Sequence, residues 1–240
     1  EVISQDSTNP LTVSLSGGTA SLTNSQIGSQ APNLNQTFTF TLTYDQPADG
    51  SEVLTLEGIV LDDAGNSLTI ANQTVPLYDL TPPAVTSFTI NSDNTVATVT
   101  FSELAFQSDG ITALTANEFL PTIVGGTPQV ILGYTVATAD NQTFTIALTS
   151  SSPWSDGSEV LTLAGTVYDA ATNSATISES VTLNDNTPPT MDITAVGANG
   201  SVVSGTATND AFIVLTFTAS EDTTDFTNST NQIVLSNGTL

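Results

Sequence analysis

Lysine, arginine, histidine and cysteine are all missing from this 240-residue chain, while 24 residues are aspartate or glutamate. Ordinary domains are about a quarter charged, with both signs represented. Without cations the chain cannot neutralise a phosphate backbone, which excludes nucleic-acid binding. Nor does it gain anything at an anionic membrane surface. No Ser-His-Asp triad, cysteine nucleophile, Schiff-base lysine or His/Cys zinc site can be assembled. Disulfides and lysine-dependent isopeptide cross-links are excluded for the same reason. Long apolar runs are absent too, so no segment reads as membrane-spanning, and Glu1-Val2-Ile3-Ser4 lacks the basic start of a signal peptide. Carboxylates, hydroxyls, amides and apolar side chains remain. That set suits hard cations, carbohydrate contacts or plain structure.

What is present is a repeat. Gln36–Pro83 and Gln142–Pro189 share DGSEVLTL cores and end alike in Thr-Pro-Pro, at an offset of 106 to 107 residues. Glu221–Leu240 echoes Glu1–Ala20, so Glu1, Glu103 and Glu221 occupy equivalent positions. The chain therefore reads as a window on a tandem array. Residues 84–189 form a complete unit, 1–83 a unit lacking its first two strands, and 190–240 the opening of a third. Mean hydropathy is +0.12 and only 10% of residues are charged, too apolar for a disordered acidic tail.

Strands dominate the pattern. Phe38, Phe40, Leu42 and Tyr44 alternate with threonines, and Phe144, Ile146 and Leu148 repeat the alternation, the period-2 signature of half-buried strands. Asp156-Gly157 and Asn91-Ser92-Asp93-Asn94 supply turns. About seven strands in about 106 residues predict an all-β immunoglobulin-like sandwich.

Thr81-Pro82-Pro83, Phe101-Ser102-Glu103, Asp49-Gly50 and Asp62-Asp63-Ala64-Gly65-Asn66, together with 187–226, resemble the tandem bacterial Ig-like (Big) domains of giant surface adhesins. The resemblance covers essentially the whole chain. It implies tandem immunoglobulin-like β-sandwiches in an extended array, a cell-surface location, and a structural, non-enzymatic task. The second copy departs from it: Asp169-Ala170-Ala171-Thr172-Asn173 has no glycine, so its loop need not take the same shape.

Running the seven strands up and down places the carboxylates at the poles of each unit. Asp49 and Glu52 in the bottom loop of the first copy, Asp79 in the linker, and Glu103 and Asp169 at the top of the second are expected to meet at one junction. Asp156, Glu159, Asp185 and Glu221 would serve the next, and Glu1, Asp62 and Asp63 the one upstream. Twelve of the 24 acids are thus expected at junctions. Like charges gathered without cations repel, and a calcium ion, with six to eight oxygen ligands, would relieve that repulsion and stiffen the joint. Leu183-Asn184-Asp185-Asn186-Thr187-Pro188 also resembles the calcium-binding linker of cadherins. The first linker, Leu77-Tyr78-Asp79-Leu80-Thr81-Pro82, keeps only the aspartate, so its site is expected to be weaker or absent. The bland alternative is that these are ordinary turn residues needing no metal.

Trp154 could stack on a sugar ring, although capping the sandwich is the simpler role. Six Asn-x-Ser/Thr sequons, at Asn35, Asn72, Asn141, Asn199, Asn228 and Asn237, are about as many as so Thr-rich a chain produces by chance. Paired acids such as Asp62 and Asp63 could in principle hydrolyse glycosides, but nothing suggests a cleft. The expected reading is an extracellular spacer whose partners are its neighbouring repeats. Alternatives are a glycan- or protein-binding module with a glycan or cell-surface ligand, and a self-assembling filament or surface-layer subunit whose copies join by strand complementation.

Overall fold

A computed structural model describes residues 4–5, 11–29, 38–62, 64–126, 130–151 and 155–223. The fold is all-β, built from several small antiparallel sheets, and among the described residues the only helical element is a three-residue 3₁₀ turn, Ala116–Glu118. No helix among them is long and apolar enough to cross a membrane.

The first stretch holds β1 (Ser4–Gln5), β2 (Thr12–Ser16), β3 (Leu22–Ser29), β4 (Phe38–Tyr44), β5 (Val53–Leu61) and β6 (Ser67–Pro76). The middle stretch holds β7 (Val85–Ile90), β8 (Val96–Phe101), β9 (Phe119–Val124), β10 (Ile131–Thr138), β11 (Thr143–Ser150), β12 (Val160–Tyr168) and β13 (Ser174–Thr182). These seven pair in two sheets, β10-β11-β8-β7 and β13-β12-β9. The first stretch repeats part of that plan: β2 and β6 flank β5 as β9 and β13 flank β12, and β3–β4 stands where β10–β11 does. A third sheet, β15-β14-β16, joins β14 (Met191–Gly197), β15 (Gly200–Ser201) and β16 (Ile213–Ala219).

Alternation explains the middle core. In β11, Phe144, Ile146 and Leu148 turn inward while Thr145, Ala147 and Thr149 face out, and β8 buries Ala97, Val99 and Phe101 in the same way. Leu161, Leu163 and Val167 of β12, Phe119 of β9 and Ile177 of β13 meet them from the opposite sheet in one cluster. The Phe144 ring lies 5.9 Å from Phe101 and 5.8 Å from Phe119, spacings at which edge-to-face and tilted aromatic pairs attract. Tyr134 of β10 adds a polar tie, its hydroxyl donating to the Phe119 carbonyl at 2.7 Å and to that of Ala116 at 3.1 Å. The β14–β16 sheet differs. Ile193, Ile213 and Leu215 stay about half exposed, because no second sheet among the described residues covers them.

Linker residues leave each stretch as extensions of it. Leu77 N–H donates to the Glu52 carbonyl at 3.0 Å and Leu80 N–H to that of Ala48 at 2.8 Å. One copy later, Leu183 N–H donates to the Glu159 carbonyl at 2.9 Å and Asn186 N–H to that of Ser155 at 2.7 Å. The segments around Asp79 and Asp185 are therefore positioned by the loops that carry Asp49 and Asp156, with which they form isolated antiparallel bridges.

Candidate metal centre

Three carboxylates converge where the first linker meets the middle stretch. Asp79, Glu103 and Asp169 each offer an oxygen within 4.8 Å of the others. Each is held by a different element. Asp79 sits in the linker, where its Oδ1 accepts the Thr81 N–H at 2.9 Å, the two-residue Asx turn that aspartate favours. Glu103 lies two residues past β8. Its neighbour Ser102 is pinned to the start of the middle stretch, donating its N–H to the Ala84 carbonyl at 2.7 Å and accepting the Ala84 N–H on Oγ at 2.9 Å. Asp169 follows β12 directly and is 1% exposed.

Asn173 organises the third arm. Asp169 accepts the Asn173 N–H at 2.8 Å on Oδ1 and the Asn173 side-chain amide at 2.7 Å on Oδ2. The same amide donates to the Asp79 carbonyl at 3.1 Å, tying the loop across the junction to the linker. One copy earlier, Asp62 and Asn66 make the matching pair of bonds, both at 2.7 Å. The glycine-less second loop nonetheless takes the first loop's shape: Thr172 stands at φ 70 where Gly65 has φ 85, and each donates its N–H back to the aspartate carbonyl. Left-handed backbone is strained for a β-branched residue, so the asparagine pairing outweighs the missing glycine.

The electrostatics of the cluster are one-sided. Two unit charges at 4.8 Å repel by about 0.9 kcal/mol in bulk water and roughly 3.5 kcal/mol at an effective dielectric of 20. Burial, followed by the charges of Asp79, Asp169 and Asp49, pushes the Glu103 carboxyl up from 4.5 to about 7. Asp49 itself is held low by hydrogen bonds from Ser51, the hydroxyl at 2.6 Å and the N–H at 3.0 Å, so it stays ionised beside the cluster. A proton on Glu103 relieves the repulsion, and so does a divalent cation. Carboxylate oxygens that accept one hydrogen bond keep a lone pair for a metal, and an all-oxygen donor set selects calcium or magnesium over soft metals.

Glu52 and Glu159 do not join the junctions. Both are fully buried. Glu52 Oε1 accepts the N–H groups of Thr19 and Ala20, each at 3.0 Å, and Oε2 accepts that of Asp49 at 3.0 Å. Glu159 Oε2 accepts the Ser155 hydroxyl and, at 3.1 Å, the Asp156 N–H. The cause is the geometry of the loop. Asp49 and Glu52 share one tight loop, with Gly50 at φ 82, and the turn sends the first outward and the second beneath the neighbouring Gly17-Gly18-Thr19 turn. A side chain on Gly18 or Gly126 would meet the glutamate carboxylate at 2.1 or 2.5 Å. The shared Gly-Gly-Thr at 17–19 and 125–127 is the one sequence signal for this clamp, and it carries no hint of a glutamate partner.

The second junction differs from expectation as well. Asp156 accepts the Ser158 N–H at 2.9 Å and the Ser158 hydroxyl, bonds that hold it low, hydroxyl first. Asp185 accepts the Thr187 N–H at 2.9 Å, and Glu221 is exposed just past β16. Among the described residues no second trio of acids closes to ligand distance, so the convergence lies at the linker whose sequence predicts a weaker or absent site. Asn184 of the Asn-Asp-Asn linker is bonded to the turn at Asn91–Asn94 instead. Asp62 is engaged by Asn66. Glu1, Asp63 and Trp154 lie outside the described residues. No protein-family model, curated protein or solved structure matches the chain.

Proposed function

We propose that this chain is a non-enzymatic spacer: tandem immunoglobulin-like sandwiches in an extended array, part of a long adhesin or filament on a bacterial surface, stiffened by calcium at the junction of residues 79, 103 and 169. The observation that carries it is the meeting of a linker carboxylate with two carboxylates of the following stretch, in a chain with no cation of its own to pair them. The strand order β10-β11-β8-β7 facing β13-β12-β9 supports the immunoglobulin-like part of the reading, since it corresponds to the D-E-B-A and G-F-C sheets of that architecture.

The task is mechanical. A cation held by Asp79, Glu103 and Asp169 would bind linker and following unit to one point, so that bending about Pro82-Pro83 strains metal–oxygen bonds. Asp49 keeps the site negative, and Asn173 fixes the Asp169 carboxylate while gripping the linker carbonyl. The test is calcium added to chelated protein. Small-angle scattering should report a larger maximum dimension, and the melting temperature should rise with calcium concentration. Protein that neither lengthens nor gains stability at millimolar calcium removes the metal from this reading.

A further inference from the structure

The Asn-Asp-Asn linker carries a device that needs no metal. The turn between β7 and β8 is closed internally: Asn91 Oδ1 accepts the N–H groups of Thr95 at 2.8 Å and Val96 at 2.9 Å, and Asn94 N–H donates to the Asn91 carbonyl at 3.0 Å. Asn94 sits at φ 56, a left-handed conformation asparagine tolerates. That places its amide against Asn184, 90 residues away. Asn184 N–H donates to Asn94 Oδ1 at 2.9 Å, and the Asn94 side-chain amide donates to the Asn184 carbonyl at 2.8 Å. The Asn184 side chain adds bonds to Asn94 Oδ1 and to the Asn91 carbonyl, both at 3.0 Å. The equivalent residue of the first linker is Tyr78, which is 89% exposed, so that linker presents no amide.

We propose that the Asn91–Asn94 turn and Asn184 form a force-bearing latch that keeps the exit of the middle unit closed under tension. This rests on the spacer reading. Tension enters at Ala84 ahead of β7 and leaves past Thr187, since the Asn186 and Thr187 N–H groups still donate to the Ser155 carbonyl at 2.7 and 3.1 Å. The latch joins the exit segment to the far end of the entry strand, so once the bonds to Ser155 yield, pulling loads the latch before β13 can peel from β12. Forced unfolding is governed by the unfolding rate, and that rate is set by the interactions that must break before the transition state is reached.

The experiment is constant-force pulling of the full chain through a cysteine added at each terminus, the chain having none of its own. The middle unit is identified by a release of about 35 nm, from roughly 3.5 Å per extended residue. Asn94→Gly removes the amide yet keeps the left-handed backbone without strain. It should unfold the middle unit about tenfold faster under force, a barrier loss of ~1.4 kcal/mol, and amide exchange at Asn184 should accelerate. Asn184→Ala should act in the same direction but less, since its backbone bonds survive. Asp140→Ala, which removes similar turn bonds from the β10–β11 hairpin, should leave the rate under force within about twofold. A wild-type rate for Asn94→Gly, or an equal acceleration by Asp140→Ala, overturns the latch. Running each chain in calcium and in chelator keeps the outcomes separate: the latch is indifferent to calcium, whereas the stiffened junction is not.

Discussion

Replacing Glu103 by glutamine tests the charge state of the junction directly. The carboxyl titrates at about 7 in the folded chain against an ordinary 4.5, so between those values the folded state holds a proton that the unfolded state has released. Stability of calcium-free protein must therefore fall as pH rises through this window, and the cost is complete above about pH 7. At ~1.36 kcal/mol per unit a fully buried group would lose roughly 3 kcal/mol. Glu103 is only half-buried, and screening by solvent reduces this to about 1–2 kcal/mol. Glu103→Gln removes the ionisable group while preserving its shape. In chelator at pH 8 the variant should melt roughly 4–12 °C higher if the middle unit unfolds as a domain of about 100 residues. At pH 4.5 the two proteins should coincide. Adding calcium should reverse the order, raising the wild type and leaving the variant nearly unmoved. Thermal melts at half-unit pH steps, with and without calcium, measure all of this. The carboxylates held low, Asp49, Asp109, Asp140 and Asp156, lose their contribution only as pH falls below about 4 and so leave the window clear. An unchanged slope between pH 4.5 and 7 in Glu103→Gln would refute the placement of repulsion at this carboxylate.

Other substitutions probe the frame around the site. Glu52→Ala strands three N–H groups and should cost about 3 kcal/mol or more, read by urea denaturation, with Glu52→Gln recovering only part because its amide nitrogen cannot accept. Thr172→Gly should stabilise the middle stretch by about 0.5–1 kcal/mol, strain relief at φ 70 exceeding the added entropy of the unfolded chain; a loss of stability would show the strain to be illusory. Phe144→Ala removes the ring shared by both sheets and should cost about 3–5 kcal/mol by the same assay.

Much of the architecture is legible in the sequence because it depends on period and repetition. Phe144, Ile146 and Leu148 point inward as their alternation requires, and the poles assigned by counting strand reversals do bring Asp79, Glu103 and Asp169 together. Side-chain direction within a tight loop is not legible. Asp49 and Glu52 are three residues apart in a turn, and whether the second faces solvent or protein depends on Gly17-Gly18 from another strand pair. Asn184 belongs to a stretch that reads only as a linker, since nothing local reveals that a turn 90 residues upstream reaches it.

By itself the sequence determined the all-β class, the repeat and the absence of any cation to pair the acids, because these follow from composition and from periods that survive without coordinates. Only the tertiary structure decided which of the acids expected at a junction close to ligand distance and which clamp a loop. That choice depends on approaches within 4.8 Å between residues up to 90 positions apart, and distances of that kind are set by packing rather than by order along the chain.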